Sequence, residues 1–274
     1  MEIEQLNRQI IQKNVKESKE ALNIELLDKV SSTNDVAKQL LNEQVDKFTL
    51  IATNKQTAGR GRSGNFFYSM LDHGLYFSLA FQPNTNKIEK IPLYTMLAAT
   101  TLVEVFEEYI VEDLSIKWVN DIFYKGRKVI GILSEMVTTG ATQEIPGIVI
   151  GIGINLAGDS TQAYDAIQAV AGTLFGKEIP KDFNQNKFLS QFLNRFFMYH
   201  QNFSDEKFLT VYEKHLLGLG QKIYYFVNKE RHEGVIQGIN EKGHLLVLNA
   251  DQTIKTLYGQ EVHFGSQQFI TQKE

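Results

Sequence analysis

Three glycines and two arginines alternate in one short loop, at Gly59, Arg60, Gly61, Arg62 and Gly64, directly after a strand-like apolar run. Glycines allow positive φ values and let backbone N–H groups approach a ligand closely. Arginines present rigid, always-charged donor forks that suit phosphate and carboxylate groups. The loop therefore indicates an anion-binding site, although Arg/Gly strings also occur as ordinary surface turns.

A second group of polar residues lies in a predicted β-hairpin whose two strands are joined by a Lys-Gly turn at 125–126. The first strand carries Lys117, Asn120 and Asp121, and Lys128 opens the return strand. Polar groups on an apolar hairpin cost desolvation free energy unless they are paired or meet a ligand. The hairpin is therefore a second candidate site; the alternative is an edge hairpin with a solvated, charged face.

The remaining pattern predicts an α+β chain in which strands and helices alternate before an all-β end. Ser32 is a natural N-cap for the helix that follows it. The predicted strands are 22–30, 48–53, 75–81 and 145–154, and the predicted helices are 34–42, 92–109, 188–203 and 205–216. After Leu217-Gly218-Leu219-Gly220 come four short predicted strands, at 222–227, 233–239, 244–248 and 254–257, a spacing typical of a small barrel.

We therefore predict an N-terminal extension at 1–21, a catalytic domain at 22–217 and a small domain at 218–274. The chain has 274 residues, of which 43% are hydrophobic and 22% charged, as in ordinary globular proteins. It contains no cysteine, which excludes a thiol nucleophile. No apolar run approaches the ~20 residues of a membrane span, and the polar N-terminus lacks a signal peptide's apolar region. We expect a cytoplasmic protein, and its net charge of −4 does not favour nucleic acid.

Five motifs, in order and at matching spacing from about residue 24 to the C-terminus, resemble the biotin protein ligase family. They are Ser32-Thr33-Asn34, Gly59-Arg60-Gly61-Arg62, Lys117-Trp118-Val119-Asn120-Asp121, Lys128-Val129-Ile130-Gly131-Ile132-Leu133-Ser134-Glu135 and Gly151-Ile152-Gly153-Ile154-Asn155.

The resemblance implies a mixed-sheet catalytic domain with a small SH3-like C-terminal β-barrel. It also implies the reaction: biotin's carboxylate attacks the α-phosphate of ATP to give biotinyl-5′-adenylate, and a lysine of a biotin carboxyl carrier domain then displaces AMP. ATP and biotin would be substrates, with Mg²⁺ as the accompanying ion. The carrier domain belongs to a biotin-dependent carboxylase such as acetyl-CoA carboxylase, and the enzyme would be a monomer or a homodimer.

Site residues follow by matching the family's motifs onto this sequence. Lys128 and Arg62 would be catalytic, because both steps build negative charge at one place. Biotin would contact Ser32, Thr33, Asn34, Gln56, Gly59, Arg60, Gly61, Arg62, Lys128, Gly131 and Gly151. ATP would contact Arg62, Phe67, Lys117, Asn120 and Asn155, and Mg²⁺ would be held by Asn120 and Asn155.

The sequence departs from the family pattern at several positions. Val119 replaces a proline, which should relax the backbone and remove no chemistry. Asn65 stands where many members have a further arginine, and Phe67 where some have tryptophan, so an indole N–H is lost. The adenine-covering loop is expected within 158–172, and it lacks the tryptophan of some relatives.

Two other functions compete with biotin ligation. Lipoate ligases and octanoyltransferases use the same catalytic fold, but the transferases often use a cysteine and the lipoate ligases lack the Gly-Arg-Gly-Arg and Lys-Trp-x-Asn-Asp pair in this form. A non-catalytic regulator is the second alternative, but Lys128 and Arg62 are both retained. The segment before Leu22 is shorter and more acidic than a ~60-residue winged helix-turn-helix. We therefore expect no binding to operator DNA.

Overall fold

The computed structural model describes residues 4–16, 21–43, 48–64, 66–69, 73–85, 87–139, 145–158, 170–259 and 262–263. The helices are α1 (Arg8–Asn14), α2 (Thr33–Glu43), α3 (Leu93–Phe106), α4 (Gln185–Gln201) and α5 (Lys207–Lys214). The strands are β1 (Leu22–Leu26), β2 (Phe48–Thr53), β3 (Gly74–Phe81), β4 (Ser115–Lys117), β5 (Asp121–Tyr124), β6 (Arg127–Thr139), β7 (Ile145–Asn155), β8 (Lys222–Val227), β9 (Glu230–Ile239), β10 (Leu245–Leu248), β11 (Ile254–Leu257) and β12 (Val262–His263).

Two sheets organise the chain. The larger has seven strands in the order β1-β2-β3-β7-β6-β5-β4, with β1 and β2 parallel and the other neighbours antiparallel. The smaller is antiparallel, in the order β11-β10-β9-β8-β12. The predicted α+β class, with a mixed sheet and a separate small β unit, is confirmed. The domain boundaries remain a prediction.

The sequence of β7 shows why the large sheet has one packed face and one open face. Successive side chains of a strand point to opposite faces, so Ile148, Ile150, Ile152 and Ile154 share one face. These isoleucines join the main core beneath α3 and α4. On the other face, Val149 packs in a smaller cluster with Ala37 and Leu41 of α2, whereas Gly151 and Gly153 lie beyond that cluster. A shallow floor without side chains results.

The β5–β6 hairpin forms as predicted, and a bulge within it turns Lys128 toward the open face. Lys125 and Gly126 both have positive φ, 49° and 73°, as a type I′ turn requires. The register shifts so that Ile122 pairs with Ile130 but Phe123 pairs with Lys128. The extra residue interrupts the strict alternation of faces. Two consecutive residues, Val129 and Ile130, therefore enter the core.

The N-terminal segment is packed against the helical layer of the large sheet. Ile11 of α1 is fully buried in the main core. Asn7 N donates to Asn186 Oδ1 at 2.7 Å, and Asn194 Nδ2 donates to Asn14 O at 2.9 Å, so α4 holds both ends of α1. The sequence predicted an N-terminal extension at 1–21; the structure adds its attachment to the core.

Most predicted elements are present with shifted ends. The strand predicted at 22–30 ends at Leu26, and β9 begins at Glu230 rather than at residue 233. The earlier start has a local reason: Asn228 and Lys229 both have positive φ, 51° and 70°, and form a tight hairpin turn directly before Glu230. Of the helices in the described residues, none is both long and apolar enough to cross a bilayer.

Candidate active site

A pocket opens on the glycine floor of the large sheet. It lies where α2, the Gly/Arg loop and strands β6 and β7 meet. Seven residues predicted to contact biotin line it, together with Phe67, which was predicted to contact ATP. The pocket is lined by Ser32, Thr33, Asn34, Gln56, Arg60, Phe67, Gly131, Leu133, Gly151, Ile152 and Gly153.

The closed end of the pocket is a dense hydrogen-bond network at the start of α2. Ser32 precedes the helix, and its carbonyl accepts from Val36 N at 3.5 Å, as expected of a residue at the N-cap position. Thr33 N donates to Gln56 Oε1 at 3.0 Å. Asn34 Nδ2 donates to Glu135 Oε2 at 2.8 Å. These side chains are therefore held in fixed orientations before any ligand arrives.

Two members of this network were missed from the sequence. Ser78 on β3 is fully buried and lies 2.7 Å from both Thr33 Oγ1 and Asn34 Oδ1. Glu135 also pairs with Lys38, with Nζ and Oε1 2.6 Å apart. Glu135 stands in a motif that was recognised without being given a role. For Ser78 the available signal was a lone serine in an otherwise apolar buried strand.

Other side chains lie so close to the floor that Gly131, Gly151 and Gly153 leave no room for a Cβ. A Cβ at Gly151 would lie 1.8 Å from Asn34 Oδ1, and a Cβ at Gly153 would lie 2.5 Å from the Phe67 ring. Gly131 pairs with Gly153 in register, and a Cβ there would lie 2.8 Å from the same ring. Asn34 and Phe67 therefore sit directly on the backbone of β6 and β7.

The Gly/Arg loop folds back on itself beside the pocket. Phe67 N donates to Gly59 O at 3.0 Å. A Cβ at Gly59 would lie 2.7 Å from Ser69 Oγ and 2.9 Å from Phe67 O, so a side chain there would push the loop open. Arg60 lines the pocket and pairs with Asp35 on α2 at 2.8 Å. Gly61 separates the two arginines and does not line the pocket.

A charged cluster adjoins the pocket on the side of the β4–β5–β6 strands. Lys128 Nζ lies 2.7 Å from Asp121 Oδ1 and 5.9 Å from the centre of the Phe67 ring. Lys128 and Asp121 form an ion pair. Arg62 Nη1 donates to Asn120 Oδ1 at 3.3 Å. Lys128 therefore stands between the pocket and the other cations.

Burial and neighbouring cations lower the pKa of Lys117 to about 8. Removal from water is the largest cause, and Lys128 and Arg62 add to it, while Asp121 opposes it. A positive field of this kind favours polyphosphate and disfavours further cations.

Tyr212 on α5 lies close to the same cluster and was not predicted. Its hydroxyl is completely buried and has no hydrogen-bond partner within the described residues. Burial raises the pKa of Tyr212 well above its usual value; Asp121 raises it further and Arg62 opposes the rise. The phenol is therefore a neutral group next to charged ones. The sequence offered no signal for it beyond helical spacing.

The two residues predicted to hold Mg²⁺ differ in their availability. Asn155 ends β7 with its side chain buried, and its Oδ1 has no partner in the described part of the chain. The oxygen of Asn120 accepts from Arg62, and its Nδ2 donates to Ile132 O at 2.9 Å. Asn155 therefore fits an oxygen-seeking cation, whereas Asn120 is occupied. Among described residues no group of three or more His, Asp or Glu side chains could hold a metal.

The small sheet reaches the charged cluster through two contacts. Arg62 Nη2 donates to Gly259 O, and Trp118 Nε1 donates to Gly243 O at 2.9 Å. The peptide bond between Trp118 and Val119 is cis. Asn65 and most of the expected adenine-covering loop, residues 159–169, lie outside the described residues.

The family model described as the biotin/lipoate A/B protein ligase family matches residues 26–155. The bifunctional ligase/repressor BirA of Bacillus subtilis (strain 168) is 32% identical over 243 residues, which are 87% of this chain and 73% of that protein. The biotin--[acetyl-CoA-carboxylase] ligase of Paracoccus denitrificans is 25% identical, over 88% of this chain and 100% of that protein.

Solved structures agree with these matches. The biotin protein ligase from Aquifex aeolicus, solved in complex with biotin and ATP, superposes with a TM-score of 0.71 at 27% identity. The match covers 89% of this chain and 99% of that one.

Proposed function

The chain belongs to the biotin protein ligase family, and we propose that it forms biotinyl-5′-adenylate from biotin and ATP and transfers the biotin to a lysine of a biotin carboxyl carrier domain. It is an ATP-dependent ligase with biotin and ATP as substrates. Relatives whose names state a substrate are biotin ligases, so lipoate or octanoate ligation is not favoured. We place the reaction in the cytoplasm, without DNA as a partner.

The position of Lys128 is the observation that carries the assignment of roles. The bulge in β6 brings its ammonium group to the boundary between the hydrogen-bonding pocket and a cluster of cations. A carboxylate extending from the pocket and a phosphate bound in the cluster would meet at that boundary. Fixed positive charge at the point where negative charge develops lowers the barrier of both steps.

Biotin's bicyclic head would occupy the closed end of the pocket, near Thr33 and Gln56. Its valeryl chain would run from there toward Lys128, beside the Phe67 ring that covers Gly131 and Gly153. Phe67 lies flat against the glycine floor at Gly131 and Gly153, so its ring forms the wall on the nucleotide side. Arg60 would cover the head, with its guanidinium group held by Asp35.

ATP would place its phosphates among Arg62, Lys117 and Lys128. Asn155, whose buried Oδ1 has no partner among the described residues, would supply an oxygen ligand to a Mg²⁺ ion. The ion would neutralise phosphate charge. Lys128 turns from Asp121 to the reacting carboxylate and phosphate, and Arg62 turns from Gly259 to close over the adenylate and shield it from water.

Pyrophosphate release from ATP, with biotin, lipoate and octanoate offered separately, tests the function. Biotin alone should support release, and product transfer should require a carrier domain. Lys128→Ala should reduce release by a factor of about 10²–10³ with the fold intact. Lys222→Ala is the control, because Lys222 pairs with Glu233 on the small sheet, away from the pocket. Release at wild-type rates by Lys128→Ala would contradict its role, and release with lipoate instead of biotin would contradict the proposed substrate.

A further inference from the structure

Ser78 lies immediately behind the pocket rather than in its lining. It is the polar member of the buried strand β3, and it pairs in register with Gly151 of the floor. Its hydroxyl is 2.7 Å from Thr33 Oγ1 and 2.7 Å from Asn34 Oδ1. A hydroxyl has a single hydrogen, so it can donate to one of these oxygens and must accept at the other contact.

The orientation of Asn34 decides which contact receives the hydrogen. Asn34 Nδ2 donates to Glu135 Oε2 at 2.8 Å and to Leu133 O at 3.3 Å, and both of these atoms can only accept. The amide is therefore fixed with its oxygen toward Ser78. Because an amide oxygen cannot donate, Ser78 must give its hydrogen to Asn34.

The hydrogen of Thr33 is then also assigned. Since the hydrogen of Ser78 points to Asn34, the 2.7 Å contact between Ser78 and Thr33 requires Thr33 to donate. The alternative acceptor for Thr33, Gln56 Oε1, is 3.4 Å away and already accepts from Thr33 N at 3.0 Å. Thr33 Oγ1 therefore presents only lone pairs to the pocket.

Gln56 presents a hydrogen-bond donor to the pocket, whereas Thr33 presents an acceptor. Its oxygen is used by Thr33 N, so its Nε2, which lies 3.4 Å from Ser69 Oγ, is the group left to donate. The closed end thus offers one acceptor and one donor side by side. A ligand ring with an N–H beside a carbonyl, such as a cyclic urea, matches this pair.

We infer that Ser78 is a positioning residue that determines ligand specificity: it fixes the hydrogen-bond direction of Thr33, so that the pocket accepts a ligand N–H and rejects a ring oxygen of the same shape. This rests on the proposed function, in which biotin's ureido ring occupies the closed end. Lys38 and Glu135 support the arrangement from outside by holding Asn34. Without the hydroxyl of Ser78, the hydrogen of Thr33 would be free to turn into the pocket.

Calorimetric titration with two ligands tests this directional role. One ligand is biotin, and the other is its cyclic carbonate analogue, in which oxygens replace both ureido N–H groups. We expect Ser78→Ala to raise the Kd of biotin by a factor on the order of ten, as loss of one ordered hydrogen bond does. The ratio of the analogue's Kd to biotin's Kd should fall by a similar or larger factor. The kcat at saturating biotin should stay within about twofold.

Ser190→Ala is the matched control, because Ser190 is equally buried and its Oγ donates to Asn186 O at 2.7 Å within α4. It should leave the Kd ratio unchanged. Ser78→Cys replaces the hydroxyl by a thiol, whose sulfur is a weak hydrogen-bond acceptor. It should therefore hold the hydrogen of Thr33 less firmly and lower the ratio even if Ser78→Ala proves too unstable to titrate.

A folded Ser78→Ala or Ser78→Cys variant with the wild-type ratio would overturn the inference. Failure of the wild-type protein to bind biotin at all would instead contradict the proposed function, so the two failures are distinguishable.

Discussion

Because Lys117 titrates near neutral pH, the rate of adenylate formation should fall in mildly alkaline solution. Its pKa of about 8 arises mainly from burial, with Lys128 and Arg62 adding to the effect. The proposed function needs Lys117 in its charged form, beside the phosphates of ATP. Replacement by arginine keeps the charge at all relevant pH values, since arginine does not deprotonate in proteins.

The expected size follows from the charged fraction of Lys117. With a pKa of about 8, about nine-tenths of the side chains are charged at pH 7 and about one-tenth at pH 9. The kcat/KM for ATP of the wild-type enzyme should therefore fall by a factor of about ten between these two values. The same quantity in Lys117→Arg should change by less than about twofold.

Pyrophosphate release at subsaturating ATP, measured from about pH 6.5 to 9.5 with saturating biotin, gives both profiles. The wild-type and Lys117→Arg enzymes share every other titrating group, so their difference isolates Lys117. If the alkaline decline of Lys117→Arg coincides with that of the wild type, another group causes it and the reasoning is refuted.

Stability provides an independent measurement of the same lowered pKa. In the unfolded chain Lys117 keeps an ordinary pKa of about 10.5, so between about pH 8 and 10.5 the unfolded state binds more protons than the folded state. The contribution of Lys117 to the free energy of unfolding therefore rises with pH across this window. Lys117→Met should lack that contribution in urea denaturation at pH 8 and 10. Equal pH dependence in both proteins would contradict the assigned pKa.

Three other substitutions test separate parts of the site. Arg62→Gly should still form the adenylate but release it early, because the substitution removes the closing guanidinium and glycine costs more entropy to order. Biotin blotting of an unrelated lysine-rich protein should then show labelling that is absent with the wild type. A mutant that makes adenylate without such labelling would argue against a retention role. Gly151→Ala should raise the KM for biotin at least about tenfold, because its Cβ would lie 1.8 Å from Asn34 Oδ1; an unchanged KM would show that Asn34 yields freely. Tyr212→Phe removes a buried hydroxyl that has no partner among the described residues, so it should keep or raise the free energy of unfolding. Tyr225→Phe loses a hydrogen bond to Asn249 Oδ1 at 3.0 Å and should lower that free energy by about 1 kcal/mol. A larger loss of stability for Tyr212→Phe than for Tyr225→Phe in urea denaturation would contradict this.

Local signals in the sequence were sufficient to predict the helices and strands and the place of the pocket. The Lys125-Gly126 turn, the apolar face of β7 and the motif at Ser32-Thr33-Asn34 each depend on a few neighbouring residues. The structure places these as predicted, with shifts of a few residues at the ends. The roles of the site residues in binding and catalysis stay predictions until variants are measured.

Long-range pairings were the part that sequence patterns could not supply. Ser78 meets Thr33 across 45 positions in sequence, and Arg62 meets Gly259 across 197. No periodicity encodes such contacts, because they depend on how the sheet registers and on where the small sheet packs. The bulge at Val129 is of the same kind: simple alternation along β6 would have put Lys128 in the core with Ile130.

The docking of α1 was missed for a related reason. Its apolar stripe is narrow, and hydropathy alone makes the segment a solvent-exposed extension. Its attachment depends on asparagine side chains of α4 that satisfy the ends of a short helix, at Asn186 and Asn194. Side-chain amides that cap a distant helix leave no pattern in the sequence around either partner.

The anchoring of Arg62 on Gly259 has a practical consequence for dividing the protein. The link between the two sheets runs through Leu217-Gly218-Leu219-Gly220, where Gly218 and Gly220 have positive φ, and the loop arginine is held by a carbonyl beyond that link. Two fragments separated there would each lack half of this contact. If each fragment were fused to one of two proteins that bind each other, their association would bring the fragments together and restore the contact. The junction therefore offers a cut point for a split enzyme whose biotin labelling reports that the two fused proteins have bound.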